Sequence, residues 1–480
     1  MDIIHEEKAG DIEAVVLLNF MVEINWVLTE VPLLRRKDIP VLILHGYRDE
    51  QDANTGAYSL RFPNEVIHEC YSKYNVLLRQ IKVDDQYGSA HAKVAVIFYK
   101  TGVRVAIHTS NYIAIDFNYK TQGVYVQDFP LITTSKIPSK QDPFPFGNEL
   151  TDFFNNMVIF DRSGEDDRTS LRADAKRLWR EYQMRLHQYD YSSAEVVLIP
   201  SAPGRWKGVD SEGKLCLHKY GHMKLRSVLG YYKMGTSLPD RSLAMQISSI
   251  GSMGKDEKKL EEIVSSMGGS LSSLKILWPT AECVRTSCIG YASGNSIPCH
   301  QETIYENGRL KYSFANCMHK WVGNSPIRTL YTPHIKTYFQ YKSSGSNPAL
   351  VTLDWFLLTS SNLSQAAWGV LEKDKTQLFL KSFELGVLYL PQRVKTPFRV
   401  FSLTPTHPRL GFDTDNCKHN GYSSSQRRFV VSMELVREIT ESSDIHFPIP
   451  FQIPPEKYSS ADVPWTNIPH ATPDRFNKYQ

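Results

Sequence analysis

The stretch YGSAHAKVAVIFY, residues 87–99, sets two polar side chains, His91 and Lys93, at the entrance of an apolar run. Residues two apart in a strand project from the same face of a sheet, so these two side chains should point to one side. A lysine on a buried face needs a partner or a ligand. The stretch therefore predicts a buried strand that begins with two chemically active groups.

The segments around this stretch indicate an α/β fold. Short apolar runs, typical of strands buried on both faces, occur at residues 39–46, 74–83, 92–99 and 103–110 and again at 273–279, 349–360 and 384–391. Apolar residues recur at helical spacing from Leu171 to Leu186 and predict an amphipathic helix. The proline-rich segment 137–150 predicts a loop.

The opening motif recurs in the second half of the chain, in TPHIKTYFQYK. In both copies a histidine and a lysine precede two strands, an asparagine and a later polar residue. The members are His91, Lys93, Asn111 and Gln122 in the first copy and His334, Lys336, Asn362 and Glu384 in the second. A third His-x-Lys pair, His222 and Lys224, has a helical context and no strand pair after it, so we interpret it as structural. The duplication predicts two domains, residues 1–190 and 191–480, whose motifs converge at one site.

The residue types in the repeated motif fit phosphoryl chemistry. Two lysines and two asparagines around one volume form a cage for a tetrahedral anion, and phosphate fits best. A histidine acts as a nucleophile or as a proton donor near neutral pH, so two of them allow a two-step displacement through a phosphohistidine. The lysines supply the positive charge, so we expect no metal and no cofactor. Gln122 and Glu384 are candidates for orienting the two imidazoles, and only Glu384 would add charge.

Composition excludes several other classes of protein. The net charge of +4 is compatible with a polyanionic partner without requiring one. Seven cysteines without regular spacing argue against a disulfide framework, and no apolar run reaches the roughly 18 residues of a membrane span. Cys299–His300 and Cys317–His319 invite a zinc site, but no C-x-x-C pair supports one, so we interpret them as core residues.

In combination, the motifs HTSN, KTQGV, RTSCIGY, PHIKTY, TSSNLSQAAWG and ELGVLYLP resemble the tyrosyl-DNA phosphodiesterase branch of the phospholipase D superfamily. The larger branch of that superfamily carries an aspartate where Phe98 and Tyr341 stand here, which favours a DNA-end enzyme over a lipase. The resemblance extends from about residue 19 to about residue 468. It implies two similar α-β-α sandwich domains with mixed central sheets and one shared active site at their interface.

The resemblance also implies roles for individual residues. His91 matches the nucleophile, and His334 matches the acid that protonates the leaving tyrosyl oxygen and then activates water. The phosphate-binding positions are Lys93, Lys336, Asn111 and Asn362, and the positions that orient the histidines are Gln122 and Glu384. Tyr87 matches an aromatic that stacks on a DNA base, whereas Ser249 and Ser252 match positions that hold DNA phosphates. Trp465 fits a packing residue better than a peptide contact.

The expected function is therefore hydrolysis of the bond between a DNA 3′ end and a peptide derived from topoisomerase I, leaving a 3′-phosphate. We expect a monomer that acts in the nucleus on single-stranded or duplex DNA and does not bind a membrane. One alternative is a broader 3′-end-processing phosphodiesterase or a phospholipase D-like nuclease. Another is an inactive DNA-binding module, which the intact set of motif residues disfavours.

Overall fold

The structure is a computed structural model that describes residues 10–46, 62–133, 142–159, 170–211, 213, 215–234, 240–251, 253, 257–343, 351–394, 428–432 and 444–480. The candidate site residue Ser252 lies outside these ranges. Among the described residues, no helix combines the length and the apolar character that crossing a membrane requires.

The first half of the chain forms a six-stranded mixed sheet. Its strands are β1 (Ile12–Asn19), β2 (Val41–His45), β3 (Val76–Gln80), β4 (Val94–Tyr99), β5 (Gly102–His108) and β6 (Val124–Pro130). The spatial order is β3-β2-β1-β4-β5-β6, with β1, β2 and β3 parallel to one another and the pairs from β1–β4 onward antiparallel. Both faces are covered, which is why β2, β4 and β5 are apolar throughout most of their length.

The second half repeats this pattern in a larger sheet of nine strands. Its strands are β7 (Val196–Ser201), β9 (Ser242–Gln246), β10 (Leu274–Trp278), β13 (Met318–Lys320), β14 (Thr337–Ser343), β15 (Val351–Thr359), β18 (Glu384–Tyr389), β19 (Arg428–Ser432) and β20 (Asp444–Pro448). The order β13-β10-β9-β14-β15-β18 reproduces that of the first sheet, with three parallel strands followed by three antiparallel ones. Strand β14 thereby corresponds to β4, and β18 to β6.

Two small sheets, twelve α-helices and four 3₁₀-helices complete the described fold, the 3₁₀-helices spanning Pro32–Arg35, Leu186–Gln188, Cys216–His218 and Gly290–Ser296. The small sheets contain β8 (Gly204–Lys207), β16 (Val370–Glu372) and β17 (Gln377–Leu380), and β11 (Tyr305–Glu306) with β12 (Arg309–Leu310). The helices are α1 (Ile24–Glu30), α2 (Asn64–Tyr74), α3 (Ala114–Tyr119), α4 (Phe146–Asn155), α5 (Ser170–Arg185), α6 (Gly221–Tyr231), α7 (Lys258–Ser266), α8 (Ala281–Arg285), α9 (Gln301–Ile304), α10 (Tyr312–Ala315), α11 (Pro326–Thr329) and α12 (Gln365–Trp368).

Three apolar clusters hold these layers together. One lies on the outer face of the first sheet under α1 and α2, and another lies on the outer face of the second sheet under α6 and α7. The third, the middle cluster, joins the halves: it takes Val96 and Phe98 from β4 together with Phe339 from β14 and Phe356 from β15. Phe98 and Tyr341, the positions without aspartate, are both buried in this middle cluster.

The predicted fold class is confirmed, because both sheets are mixed and share the same order over six strands. The predicted amphipathic helix is confirmed as α5, and His222 with Lys224 lies in α6 as interpreted. Of the loop predicted over 137–150, residues 137–141 lie outside the described residues, and the prediction is wrong for the last five, where α4 begins at Phe146 directly after Pro145. A proline just ahead of a helix presets the entry of the chain, so the proline-rich segment precedes a helix start. The boundary at residue 190 stays a prediction.

Candidate active site

The two His-x-Lys motifs lie where the halves meet, each immediately before a central strand. The backbone N–H of His91 donates to the carbonyl of Phe383 (2.9 Å), and that of His334 donates to the carbonyl of Thr121 (3.0 Å). Phe383 precedes Glu384, and Thr121 precedes Gln122. Each histidine is therefore fixed to the opposite half, next to that half's candidate orienting residue.

Glu384 is the partner of the His91 imidazole. Its Oε2 lies 3.0 Å from His91 Nδ1 and accepts a hydrogen bond from Ser360 Oγ at 2.5 Å. Burial raises the pKa of Glu384, but His91, the Ser360 hydroxyl and Lys93 outweigh it and lower the pKa overall. An ionised Glu384 accepts Nδ1–H of His91, which leaves the Nε2 lone pair for chemistry.

Gln122 contacts the His334 imidazole in the corresponding way. Its Nε2 lies 3.2 Å from His334 Nδ1, and its Oε1 accepts a hydrogen bond from Thr109 Oγ1 at 2.8 Å. The Thr109 hydroxyl corresponds to that of Ser360. The Thr109 N–H donates to the carbonyl of Gly123, just before β6, and the Ser360 N–H donates to that of Leu385 in β18. Each of these two polar residues lies beside one histidine, and each pair is formed across the halves.

A carboxylate that the motif search missed lies at the same imidazole. Asp116 Oδ2 is 3.2 Å from His334 Nδ1 and accepts the backbone N–H of Asn111 at 2.7 Å. The side chain is fully buried in α3. Burial raises the pKa of Asp116, while the Asn111 N–H and the charges of nearby lysines oppose the rise. An acidic residue inside the otherwise apolar run YIAIDF was the only sequence signal for it.

Both motif lysines are completely buried and point toward the histidines of their own motifs. Lys93 Nζ donates to the carbonyl of His91, and Lys336 Nζ donates to that of His334, each at 2.6 Å. One of the three ammonium donors is used in each of these bonds. Burial lowers the pKa of Lys93 to about 8, and it lowers the pKa of Lys336 as well.

A third buried lysine, Lys120, was also missed by sequence reasoning. Its Nζ donates to the carbonyl of Ser293 and, at 2.9 Å, to Thr332 Oγ1. Burial lowers its pKa to about 8, and its charge acts on Asp116 and on His334. Lys120 follows α3 directly and is the first residue of the KTQGV motif, in which only Gln122 was given a role from sequence.

The two asparagines occupy matching positions, each three residues after the residue whose backbone N–H donates to the carbonyl of the motif lysine. Asn362 Oδ1 accepts hydrogen bonds from the backbone N–H (3.0 Å) and hydroxyl (3.3 Å) of Ser248, so its NH₂ group is the part left to face a ligand. Asn111 is buried, and within the described part of the chain its Oδ1 has no hydrogen-bond partner. Ser249, the next residue after Ser248, is half-buried in the loop that follows β9.

The electrostatic environment shows that these groups form one cluster. Burial lowers the pKa of both histidines, and Lys93 and Lys336 lower the pKa of each of them further. Glu384 opposes this effect at His91. Both imidazoles are therefore neutral near pH 7 in the absence of an anion, and a bound phosphodiester would raise both pKa values.

The entrance beside His91 carries an aromatic and a cation. Tyr87 is 71% exposed, and Lys381 Nζ lies 4.9 Å from the centre of its ring. The loop between Tyr87 and His91 approaches the opposite half closely, since a Cβ at Gly88 would lie 1.9 Å from the Lys381 carbonyl oxygen. An exposed ring held by a cation is suited to stacking on a base.

Residues considered for other chemistry have structural surroundings. Cys317 Sγ donates to the Ser313 carbonyl at 2.8 Å, and Cys299 is buried in the outer cluster of the second half. Among the described residues, no three His, Cys, Asp or Glu side chains are grouped to hold a metal. Trp465 is fully buried, and its indole N–H donates to the Ile297 carbonyl at 3.0 Å, so it packs as interpreted.

Comparisons with known proteins give a consistent result. A family model described as tyrosyl-DNA phosphodiesterase matches residues 1–459. The chain is 34% identical to tyrosyl-DNA phosphodiesterase 1 of Arabidopsis thaliana over 474 residues, covering 96% of this chain and 70% of the plant protein. It is 25% identical to the probable tyrosyl-DNA phosphodiesterase of Schizosaccharomyces pombe, covering 95% of this chain and 87% of the relative.

The solved structure of the yeast tyrosyl-DNA phosphodiesterase has the same fold. Its TM-score is 0.57 at 17% identity, covering 97% of this chain and 95% of the yeast chain. The H432N_Glu mutant of the yeast protein gives a TM-score of 0.61, covering 97% and 94%. At this level of identity, the likeness to the yeast structures supports the fold of this chain. The matches to the family model and to the plant protein support its membership of the family.

Proposed function

Since the chain belongs to the tyrosyl-DNA phosphodiesterase family, we propose that it hydrolyses the phosphodiester bond between a DNA 3′ end and a tyrosine side chain. The observation that carries the proposal is the crossed arrangement of the histidines. Each imidazole is anchored on the opposite half, and both share the field of the buried Lys93 and Lys336. Such a pair can act on the two sides of one phosphorus atom.

In the first step, His91 is the nucleophile. Its Nε2 lone pair attacks phosphorus while its Nδ1–H stays hydrogen-bonded to Glu384. The Glu384 carboxylate stabilises the positive charge that develops on the ring. The bond from phosphorus to the tyrosyl oxygen breaks, and its electron pair stays on that oxygen. His334 Nε2 gives its proton to the oxygen, which matters because a tyrosine hydroxyl has an ordinary pKa of about 10.

In the second step, His334 is the base. Its Nε2 takes a proton from water, and the water oxygen attacks phosphorus as the bond from phosphorus to His91 breaks. The electron pair of that bond returns to His91 Nε2, and DNA is released with a 3′-phosphate. Lys93 and Lys336, with the NH₂ groups of Asn111 and Asn362, stabilise the charge on the phosphoryl oxygens in both steps.

The two sides of the site suit different parts of the substrate. Tyr87, held by Lys381, lies on the His91 side and suits a base near the DNA end. The peptide then lies on the His334 side, because His334 protonates its tyrosyl oxygen. The proposed substrate is DNA carrying a peptide from topoisomerase I, and repair of chromosomal DNA would place the protein in the nucleus.

The test is an assay of matched oligonucleotides with a 3′-phosphotyrosyl or a 5′-phosphotyrosyl end, in EDTA. We expect cleavage of the 3′ substrate to a 3′-phosphate and loss of that activity in His91→Ala. His334→Asn should accumulate a covalent adduct between protein and DNA. Retained activity in His91→Ala, or a requirement for added divalent metal, would contradict the mechanism. An oligonucleotide with another 3′ blocking group tests the broader 3′-processing alternative.

A further inference from the structure

We propose that Asp116 is the positioning residue of His334, holding Nδ1–H so that Nε2 exchanges the proton in both steps. This role rests on the proposed function. It gives each catalytic histidine a nearby carboxylate: Glu384 is hydrogen-bonded to His91 Nδ1 at 3.0 Å, and Asp116 makes an ion-pair contact with His334 Nδ1 at 3.2 Å.

The hydrogen-bond donors and acceptors around His334 Nδ1 carry the first step of the argument. Two atoms lie 3.2 Å from it, Gln122 Nε2 and Asp116 Oδ2. The orientation of the Gln122 amide is set, because its Oε1 accepts from Thr109 Oγ1 and its Nε2 donates to the Asp116 carbonyl. An amide nitrogen cannot accept a proton, so only Asp116 can pair with a protonated Nδ1.

The reaction requires that protonated state. As an acid His334 carries protons on both ring nitrogens, and after transfer to the leaving oxygen it must keep the one on Nδ1 for Nε2 to accept a proton from water. A donor from Gln122 alone would favour the opposite tautomer, with the lone pair on Nδ1. The carboxylate of Asp116 fits both protonation states that the two steps use.

The internal duplication supports the assignment independently. Helices α3 and α12 both begin three residues after the motif asparagine, at Ala114 and Gln365. The third residue of α3 is Asp116, whereas the third residue of α12 is Ala367. The acidic partner thus comes from β18 in one copy and from α3 in the other, so that each site histidine has one.

A purely structural role explains Asp116 less well. Its contact with the Asn111 N–H uses one carboxylate oxygen, which a neutral amide could replace, and within the described residues Oδ1 has no hydrogen-bond partner. Burying a charge for one backbone contact is costly. The charges that face this corner from the other elements are those of Lys336, Lys93, Lys120 and, when protonated, His91.

The test compares Asp116→Asn with the wild type on oligonucleotides ending in 3′-phosphotyrosine or in a 3′-(4-nitrophenyl) phosphodiester. Nitrophenolate leaves without an acid, so the first step on that substrate should be near normal and give a burst of one nitrophenolate per enzyme. Steady-state turnover should then fall on the order of 10²-fold as adduct on His91 accumulates. On phosphotyrosine the first step itself should slow by a similar factor.

Asp128→Asn is the matched control, because Asp128 is a carboxylate of the same half that pairs with Arg104 away from the site. It should keep both rates. If Asp116→Asn turns over both substrates like the wild type, or slows both first steps equally, the inference is overturned. A wild-type enzyme that leaves phosphotyrosine uncleaved refutes the proposed function instead.

A second measurement on the wild type covers the case in which Asp116→Asn does not fold. In ¹⁵N-histidine-labelled protein, the His334 signals, assigned by their loss in His334→Asn, should show a protonated Nδ1 and an unprotonated Nε2. The opposite tautomer would mean that Gln122 is the donor to Nδ1 and would overturn the assignment.

Discussion

At the scale of single residues, Lys93 gives the phosphate site a pH limit. Burial lowers its pKa to about 8, so the ammonium is charged below pH 8 and loses its proton as pH rises through that value. The affinity of His91→Ala for a 3′-phosphate oligonucleotide should therefore be steady from pH 7 to 7.5 and fall up to about tenfold per pH unit above 8.

Binding titrations across this range, with Lys93→Met as the comparison, test the limit. The Lys93→Met variant should bind the oligonucleotide more weakly at pH 7, and its affinity should decrease less steeply above pH 8. Part of the pH dependence of binding should remain, because the pKa of Lys120 is also lowered to about 8. Affinity that stays level to pH 9.5 would contradict the assignment of Lys93 to the phosphate.

Ser360 supports the buried Glu384, and its Oγ also accepts the backbone N–H of Leu385 at 3.0 Å. Its hydroxyl donates to the buried Glu384 carboxylate at 2.5 Å, and hydrogen bonds to buried charges contribute about 1.5–3 kcal/mol. Ser360→Ala should lower the free energy of unfolding by about that amount, measured by urea denaturation, and should reduce kcat. The exposed Ser272→Ala should change the unfolding free energy by less than about 0.5 kcal/mol. Equal effects of the two substitutions would refute the argument.

The residues of the repeated motif could be found from sequence because the repeat marks them twice. Asp116 and Lys120 occur in only one copy, so no internal comparison singles them out. The pairing of His91 with Glu384 and of His334 with Gln122 was also beyond the sequence, since it depends on how the halves pack. From sequence, one histidine was expected to have a charged partner, Glu384, and the other a neutral one, Gln122. With Asp116 included, a carboxylate lies beside each histidine.

At the scale of elements, the loop from Tyr87 to His91 depends on a glycine. A Cβ at Gly88 would lie 1.9 Å from the Lys381 carbonyl oxygen, so the loop or the opposite segment would have to move. Gly88→Ala should therefore displace His91 from Glu384 and reduce kcat/KM by at least tenfold in the 3′-phosphotyrosyl assay.

Gly230→Ala is the control for this substitution. Gly230 lies in α6 with no atom within 4 Å of an added Cβ. Alanine is preferred over glycine in a helix, so this variant should keep activity and gain about 0.5–1 kcal/mol of stability. Normal kinetics in Gly88→Ala would show that the close approach has no role in placing His91.

Long or strongly patterned elements were predictable, and short ones were not. Strands β4, β5 and β15 are apolar runs covered on both faces, which sequence indicates directly. Strand β8 has four residues that alternate between half-buried and exposed, and among the described strands it pairs with β17 alone, so its sequence gives too little pattern. Helix α4 was obscured by the prolines that precede it.

At the scale of the whole molecule, the middle cluster predicts cooperative unfolding of both halves. It joins side chains of β4 to side chains of β14 and β15, so neither half can lose its packing alone. Guanidinium unfolding followed by tryptophan fluorescence, far-UV circular dichroism and residual activity should give one common midpoint. Separate midpoints for these signals would show that the halves unfold independently.

The crossed anchors of the histidines have a consequence for inheritance. His91 contacts Phe383 and Glu384 of the second half, whereas His334 contacts Thr121, Gln122 and Asp116 of the first half. A substitution in one half therefore changes the surroundings of the catalytic histidine of the other half. After the duplication, the two copies could diverge only if each kept the residues that contact the histidine of the other copy. A chimera that joins the first half of this protein to the second half of a relative should work only where the partner residues on both sides of the seam still match.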